Sequence, residues 1–440
     1  MLARAGHRVT VFEASEHIGG GARSAELTLP GFVHDLCSSV YPMGISSPAF
    51  DSFPLAGHGL EWVHSPAPLA HPLDDGTAVM LERSIEATMA SVAPDGTAWR
   101  RAFAPFAAAW PSMRYDALAP IIHIPRHPFR MARLGLMGIR PAASLAASLF
   151  RGPRACALFA GMAAHSVMPL EAPLSAAIGV LFAAIGHSVG WPIARGGAQK
   201  ITDALAGYLQ SLGGEIRPGS PVTSLPDADT VMCDITPRQF LALAGDRLPD
   251  SYRRSLQRYR YGPGVFKMDW ALDGPIPWRA PECARAATVH VGGTLEEIAR
   301  WERRFIGAPF LIVTQPSLFD RSRAPAGKHT AWAYCHVPNG DTTDYSEAIE
   351  QQIERFAPGF RARILARAVF SPAALEQLNS NIIGGDVAGG AMNIRQFFLR
   401  PTRSLYSTPL RGVYLCSAST PPGGGVHGMC GYNAALRVHR

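Results

Sequence analysis

Short apolar runs alternate with amphipathic stretches at both ends of the chain, which predicts alternating strands and helices. Near the N-terminus, the run Val9, Val11 and Phe12 is β-branched and aromatic, as in a buried parallel strand. Residues 1–6 before it are typical of the end of a helix, with Gly6 as its stop. The stretch 195–245 and the C-terminal tail have the same α/β character.

The middle of the chain shows two other patterns. From about residue 84 to 190, apolar residues recur at helical spacing in an Ala-rich context broken by proline, which predicts a helical region. From 255 to 345, strand-like runs alternate with turns, which predicts an antiparallel sheet with one face towards a substrate. These runs are Gly264–Leu272, Ala287–Val291, Phe310–Thr314 and Thr330–Val337.

Composition and charge narrow the function classes. Hydrophobic residues make up 47% and charged residues 17% of the 440, which is a globular balance. The net charge of +7 comes from dispersed arginines without a basic run, so we expect no nucleic-acid partner. The seven cysteines show neither a C-x-x-C pair nor zinc spacing, which argues against disulfide exchange and a metal site and favours a reducing compartment.

The sequence shows no recognisable secretion signal or membrane span. The N-terminus lacks a charged start, an apolar run and a cleavage site. The longest apolar stretch, Leu174–Ile185, is broken by Gly179 and falls short of the roughly 18 apolar residues that a span needs. We therefore expect a cytoplasmic protein.

A carboxylate, Glu13, follows the first predicted strand. In a dinucleotide-binding βαβ unit, an acid at this place accepts hydrogen bonds from the ribose hydroxyls, about 20 residues after the glycine fingerprint. Because Glu13 is only the thirteenth residue, that fingerprint would lie before Met1, and we expect the chain to begin inside its own nucleotide site. The alternative is a helix cap or a solvated turn residue.

The turn Gly19-Gly20-Gly21, followed by Arg23, has two interpretations. Glycines allow a backbone to approach a diphosphate or a ring closely, and Arg23 would add positive charge. The alternative is a flexible turn with a surface arginine.

The segment Gly412–Asn433 predicts a strand, a glycine-rich loop and a helix. The helix N-terminus and the free amides of the loop would form an electron-withdrawing wall against the diphosphate and the pyrimidine side of a flavin. A plain strand–loop–helix connection is the alternative. His427 is the one obvious titratable group in the loop, and it is a candidate catalytic residue or a structural hydrogen-bond donor.

Several stretches resemble the FAD-dependent phytoene desaturase-like oxidoreductases, which are related to carotenoid desaturases, carotenoid isomerase-like proteins and the amine oxidase flavin fold. Within this group the chain is most similar to the branch of pyridine nucleotide-disulfide oxidoreductase domain-containing protein 2. The matching stretches are LARAGHRVTVFEASEHIGGGARS at 2–24, PGFVHD at 30–35, RGGAQKITDALA at 195–206, DITPRQF at 234–240, GGDVAGGAMNIRQFFLRP ending at Pro401, and GVYLCSASTPPGGGVHGMCGYNAA from Gly412. They are spread over nearly the whole chain.

The resemblance implies a mixed α/β fold with a Rossmann-type FAD-binding domain and a sheet-and-helix substrate domain. The FAD-binding domain would be discontinuous, over 1–83, 195–255 and 380–440. The remainder would be a helical insertion at 84–194 and a mixed-sheet substrate domain at 256–379. The strand and the G-x-G-x-x-G loop that open this domain in the family are absent from the sequence, and Ser417 stands where the family usually has Gly.

By position in the family pattern, Glu13 would hold the adenosine ribose and Val222 would meet the adenine through its backbone. The residues that would line the diphosphate and the flavin are Gly19, Gly20, Arg23, Ser419, Gly424, Gly425, Val426 and Met429.

The resemblance further implies FAD as the sole redox cofactor, an apolar and often polyene substrate that loses hydride to the flavin, and an external electron acceptor that the sequence does not identify. Two alternatives stay open: a flavin-dependent isomerase without net redox change, and a degenerate, non-catalytic relative. Without the fingerprint, residues 1–440 alone are expected to bind FAD weakly or not at all. The DNA upstream of Met1 would separate a misplaced start from a real loss.

The helical region 84–190 is the candidate lid or substrate channel. Its arginines alternate with large apolar residues between Phe129 and Arg151. A packed helical subdomain explains this pattern, and the alternative is an interfacial surface through which an apolar substrate enters from a bilayer. The sequence does not indicate an oligomeric state.

Overall fold

The computed structural model describes residues 1–120 and 122–438, and a seven-stranded sheet lies at its centre. The strands are β1 (Thr10–Phe12), β2 (Ser24–Glu26), β3 (Val33–Asp35), β4 (Trp62–Val63), β5 (Ala67–Pro72), β6 (Ala78–Leu81), β7 (Ile193–Ala194), β8 (Glu215–Arg217), β9 (Val231–Cys233), β10 (Gly264–Leu272), β11 (Ala286–Val291), β12 (Leu311–Thr314), β13 (His329–Val337), β14 (Ile364–Phe370) and β15 (Val413–Leu415).

The helices fall into a middle group and a set of single helices between strands. They are α1 (Pro42–Ile45), α2 (Pro48–Asp51), α3 (Ile85–Ser91), α4 (Gly96–Ala117), α5 (Pro128–Gly138), α6 (Ala142–Leu149), α7 (Pro153–Ala164), α8 (Ala176–Ser188), α9 (Gln199–Ser211), α10 (Pro237–Ala244), α11 (Asp250–Gln257), α12 (Leu295–Arg304), α13 (Ser346–Phe356), α14 (Pro372–Leu378), α15 (Ile394–Phe398) and α16 (Met429–Val438). The helices α3 to α8 confirm the helical region expected between about 84 and 190.

The central sheet has the strand order β14-β10-β13-β12-β11-β5-β6. Its neighbours run antiparallel except β5 and β11, which are parallel. The four strands predicted from 264 to 337 are confirmed as β10 to β13. The segment 67–81 was expected in the FAD-binding domain, but its strands β5 and β6 extend this sheet instead.

The two faces of the sheet are covered differently. Trp270 of β10 points to one face, where its Nε1 donates to Glu350 of α13 at 3.0 Å. His290 of β11 points to the other face, and α7 packs there so closely that a Cβ on Gly161 would lie 2.5 Å from the imidazole. The helix α8 is apolar on all sides because it is buried between α4 and α7.

The remaining parallel strands form two separate pairs, β1 with β8 and β15 with β9. Parallel strands are normally covered on both faces and flanked on both edges. Here Val11 and Phe12 are 40% and 42% exposed, so the prediction that β1 is buried is wrong. The physical reason is that β1 pairs with β8 along one edge only.

Candidate functional site

The carboxyl ends of the two strand pairs meet at one place. Glu13 follows β1 and Asp234 follows β9. Close packing and the negative charge of Glu13 raise the pKa of the Asp234 carboxyl to about 6. The Asp234 side chain nevertheless remains accessible to solvent. The next residue after β15, Cys416, lies beside Asp234, and burial raises the pKa of its thiol. Ligands of open α/β sheets bind at such strand ends, so this is where we place the nucleotide half of the site.

Glu13 is held in place by its own backbone neighbourhood. Its Oε1 accepts the N–H of Ser15 at 2.8 Å, and its carbonyl accepts the N–H of Ser220 at 2.8 Å. Arg23 donates from Nη1 to the Ser15 hydroxyl at 3.1 Å. The Ser220 hydrogen bond ties the loop that contains Val222 to Glu13, and Val222 is exposed there. Glu13, Val222 and Arg23, the candidates for the ribose, the adenine and the diphosphate, therefore lie in one region.

The glycine turn at 19–21 is explained first by packing. Gly19 has φ +117°, and a Cβ there would lie 2.7 Å from the Thr202 hydroxyl of α9. A Cβ on Gly20 would lie 3.2 Å from the side-chain amide of Asn379. Gly21 packs against Cys37. Burial raises the pKa of the Cys37 thiol to about 11, and the positive charges of Lys267 and Arg23 partly oppose this rise. The turn therefore lies between the nucleotide half of the site and the central sheet.

The C-terminal loop from Gly423 to Gly428 has an unusual backbone. Gly425 has φ +137°, where a Cβ would lie 2.7 Å from the sulfur of Met43, and Val426 has φ +51°. Within the described residues, the N–H groups of Gly424, Gly425 and Val426 donate no hydrogen bond. Helix α16 begins directly afterwards at Met429, so the loop presents free amide donors beside the positive end of a helix dipole.

His427 holds this loop against its surroundings. It is 2% exposed, its Nδ1 accepts the N–H of Met429 at 3.0 Å, and its carbonyl accepts the Ser47 hydroxyl. Burial lowers the pKa of His427 to about 4, so the imidazole is neutral and its proton resides on Nε2. That Nε2 has no acceptor of good hydrogen-bond geometry among the described residues, although the backbone of Gly423 and Gly424 lies close enough to oppose the lowering of the His427 pKa.

A second segment backs the loop. The Ser419 hydroxyl donates to the carbonyl of Gly389 at 2.7 Å, and a Cβ on Gly424 would touch the backbone of Ala388 at 3.4 Å. Ser419 is 1% exposed, so its hydroxyl is used inside the protein. Through this hydrogen bond Ser419 fixes the loop that would carry the cofactor, and its own place on the cofactor stays a prediction.

Lys267 is a candidate functional residue that the sequence reasoning missed. It is 2% exposed on β10, forms an ion pair with Asp269, and lies 5.1 Å from the ring centre of Trp332. It also influences the pKa of Cys37, which places it beside the glycine turn. The available signal was a lysine inside an apolar strand of a chain that has only three lysines.

The face of the sheet that carries Lys267 is shared between two parts of the molecule. The Nε1 of Trp332 donates to Ser39 in the N-terminal part at 2.6 Å. His290 forms a hydrogen bond with His165 at the end of α7, with 2.9 Å between their Nε2 atoms. On the same face, Tyr334 of β13 lies between Lys267 of β10 and His290 of β11, and it is only partly buried. This stretch of the sheet is therefore the candidate substrate wall.

The histidines of this wall are neutral. Burial lowers the pKa of His165 to about 3 and that of His71 to about 4, and it lowers the pKa of His290 as well. His165 nevertheless keeps part of its surface accessible. The wall therefore combines aromatic rings with uncharged imidazoles.

The residues present fit FAD. The loop offers three unpaired backbone N–H groups, and His427 offers one unpaired buried N–H. All four are donors, and the phosphate and pyrimidine oxygens of FAD are acceptors. Glu13 and Arg23 would hold the ribose and the diphosphate, while the loop from Gly423 to Met429 would hold the diphosphate and the flavin ring.

Comparison with known proteins decides the family. The sequence profile of the flavin-containing amine oxidoreductases matches residues 1–239, more than half of the chain. The chain belongs to this family. It is a flavin-containing oxidoreductase, and its cofactor is FAD.

Relatives in sequence agree with this assignment. Pyridine nucleotide-disulfide oxidoreductase domain-containing protein 2 of Mus musculus is 26% identical, over 100% of this chain and 90% of the mouse protein. The match to the Rattus norvegicus protein of that name is 28% identical over 52% of this chain and 43% of the rat protein. A phytoene desaturase (neurosporene-forming) of Rhodobacter capsulatus is 26% identical over 57% of this chain and 54% of its own length.

Solved structures show the same fold. An oxidoreductase from Methanosarcina mazei has a TM-score of 0.67 at 15% identity, over 100% of this chain and 96% of the other. Putrescine oxidase bound to putrescine has a TM-score of 0.62 at 14% identity, over 100% and 95% of the two chains. The mixed α/β fold of the flavin-dependent oxidases is therefore confirmed.

Three further findings concern the cysteines, metal binding and membrane spans. The seven cysteines are all free. Across residues 1–120 and 122–438, no cluster of histidine, cysteine and acidic side chains could hold a metal ion. In the same residues, none of the helices has the length and apolar character that crossing a membrane requires.

Proposed function

We propose that this flavin oxidoreductase dehydrogenates, and thereby desaturates, an apolar and uncharged substrate of polyene or isoprenoid type. The observation that carries the proposal is the pairing of the buried carboxylates around the substrate wall. Three of them already have a cationic or imidazole partner. The pairs are Asp35 with Arg323 at 2.8 Å, Glu302 with His336 at 2.9 Å, and Asp269 with Lys267.

A protonated amine needs a buried carboxylate or a comparable charge to offset its desolvation. With these carboxylates already paired and His71, His165 and His290 neutral, the wall offers aromatic and apolar surface instead. This favours a hydrocarbon over an ammonium group. The likeness to phytoene desaturase in sequence supports the same substrate class.

Bound FAD supplies the hydride acceptor. The chain's own residues bind and orient the reactants and keep water out. The loop amides and the N-terminus of α16 stabilise negative charge on the pyrimidine side of the flavin site. Lys267 places a positive charge near the same site, and Tyr334 and His165 form the accessible part of the substrate wall.

The test is anaerobic flavin reduction in the FAD-loaded protein. A detergent-solubilised acyclic polyene should bleach the flavin absorbance, while putrescine should leave it unchanged. Bleaching by the amine and not by the polyene would contradict the proposal. The isomerase alternative predicts a different result, which is conversion of the polyene by reduced flavin without an acceptor and without net bleaching.

The access route is a proposal that rests on exposed side chains. Ile124, Phe129 and Leu136 are 95%, 90% and 72% exposed, on α5 and the segment before it. Between Asp116 and Glu171 the sequence contains six arginines and no acidic residue. Apolar side chains on a basic background are the pattern of a surface that binds anionic bilayers. We infer that this surface, α5 with residues 122–127, docks on a membrane and admits the apolar substrate.

A further inference from the structure

A cavity of about 460 Å³ lies outside the flavin site, between α11 and the segment 395–404. Its floor is formed by Tyr252 and Thr402, and its rim carries Arg258, Arg395 and Arg403. The sequence analysis assigned none of these residues a role, and the proposed function does not use them.

The three arginines are not neutralised. Within the described residues, the side chains of Arg258, Arg395 and Arg403 form no ion pair and no hydrogen bond. No aspartate or glutamate lines the cavity. Three guanidinium groups are thus directed at one recess without an internal counter-charge, and such a recess attracts anions.

The floor adds a neutral donor. Tyr252 is 9% exposed, and its hydroxyl has no hydrogen-bond partner of good geometry among the described residues. Burial raises the pKa of Tyr252 to about 12, against a smaller opposing effect of the nearby Thr402 hydroxyl, so the phenol stays protonated. A buried hydroxyl without a well-placed acceptor costs folding free energy, and a ligand in the cavity that accepts from the Tyr252 hydroxyl would remove this cost.

The cavity is distinct from the flavin site. Tyr259 forms the wall between them, because its hydroxyl donates to the carbonyl of Gly389, the same carbonyl that accepts from Ser419. Arg400 supports this wall by donating from Nη2 to the Tyr259 hydroxyl at 3.2 Å. Neither Glu13, Arg23 nor the loop from Gly423 to Met429 lines the cavity.

We propose that this cavity binds the diphosphate group of a soluble phosphorylated small molecule. Guanidinium groups match phosphate oxygens in a forked, two-point geometry, and three of them fit a diphosphate better than a single carboxylate. The volume is within the range of small-molecule sites. The Tyr252 hydroxyl donates to a phosphate oxygen at the bottom, and the rim arginines close over the charge.

The test is calorimetric titration of the purified protein with inorganic pyrophosphate at constant ionic strength. In R258Q/R395Q/R403Q the affinity should fall at least tenfold. The control R100Q/R304Q/R321Q removes the same charge from exposed arginines elsewhere and should bind as the wild type does. Y252F should weaken binding several-fold, and its melting temperature should stay close to that of the wild type because the contact of the hydroxyl with Thr402 lacks good hydrogen-bond geometry.

Two further arms separate other sources of the same chemistry. R23Q, in the flavin site, should leave pyrophosphate binding unchanged, and a loss there would assign the signal to the flavin site and overturn the proposal. Flotation with phosphatidic acid vesicles should be equal for both arginine variants, and a selective loss in the cavity variant would assign the site to a lipid headgroup instead. Absence of saturable binding, or equal weakening in both triple variants, would also overturn it.

Discussion

Lys267 and Asp269 stand next to each other on one face of β10, almost fully buried beneath Trp332 and Phe370. A buried ion pair of this kind contributes little net stability, but losing one member leaves an uncompensated charge. We therefore expect the role of Lys267 to be the positive charge that it places near the flavin site, and not the stability of the sheet.

Replacing Lys267 by Met should lower the free energy of unfolding by about 3–5 kcal/mol, because Asp269 stays buried with only the His34 imidazole, 3.5 Å away, as a partner. The double variant K267M/D269N should recover part of this loss. Lys328→Met is the matched control, since its pair with Asp273 is exposed and is worth about 0–1 kcal/mol. Denaturant unfolding measures all three, and a K267M cost equal to that of K328M would contradict the account.

The buried histidines make stability depend on pH. Burial lowers the pKa of His71 and of His427 to about 4, from an ordinary value of about 6.5. Between these two pH values the unfolded chain binds protons that the folded chain does not, so the free energy of unfolding should fall as pH drops from 6.5 to 4. Each group accounts for up to about 3 kcal/mol.

The variant His71→Gln should flatten this slope by about one proton while leaving stability near pH 8 less affected. Urea unfolding at several pH values gives the slope directly. A wild-type stability that is constant from pH 7 to pH 4.5, or an unchanged slope in the variant, would contradict the assignment of neutral buried histidines.

Residue-level features of the site were predictable where a local pattern carries them. Glu13 directly follows a predicted strand, and the glycines of the C-terminal loop directly precede a predicted helix. The neighbouring sequence is therefore enough to identify both as candidate site residues. Lys267, Tyr334 and His165 were missed because their partners come from remote segments. The His165–His290 contact, for example, joins residues 125 positions apart.

At the scale of elements, the loop between β15 and α16 is the piece on which the flavin site depends. Gly425→Ala should destabilise the protein by about 1–3 kcal/mol, because φ +137° is strained for any side chain and the Cβ meets Met43. It should also weaken FAD binding. Gly431→Ala is the matched control in α16, where nothing lies within 4 Å and alanine should stabilise by about 0.5–1 kcal/mol.

Thermal unfolding with and without FAD measures both effects. Equal melting temperatures and equal FAD affinity in the two glycine variants would show that the backbone of the loop is not constrained as the structure indicates.

Elements with clear periodicity were predicted, and elements whose burial depends on distant neighbours were not. The strands β10 to β13 agree with the predicted runs within about two residues. The strand β5 contains two prolines, which are rare inside a sheet, and it was not predicted, yet it lies inside the sheet between β11 and β6. The edge strand β14 has little alternation of apolar and polar residues in its sequence, and its residues alternate between half-buried and exposed.

At the scale of the whole molecule, we propose that the flavin-binding part, the sheet face and the helical layer share one reaction site, with the surface of α5 and residues 122–127 as its entrance. Phe129→Ser combined with Leu136→Ser should reduce binding to phosphatidylglycerol vesicles at least about tenfold, because two large apolar side chains no longer enter the bilayer. The control I306S/L365S changes exposed apolar residues elsewhere.

Vesicle flotation at low and high salt is the measurement. Binding should also weaken with salt because the arginines contribute electrostatic attraction. Equal binding of both double variants would contradict a docking role for this surface.

The central claim is that FAD lies between the turn at Gly19–Arg23 and the loop at Gly423–Met429, with its ring towards Lys267 and Tyr334. Photolabelling with an azido derivative of FAD tests it most directly, since covalent capture reports the contact residues even when binding is weak. Mass spectrometry should find the label on peptides that contain these two segments or β10 and β13, and excess FAD should suppress it. Labelling confined to other surfaces, or labelling that FAD does not suppress, would contradict the account.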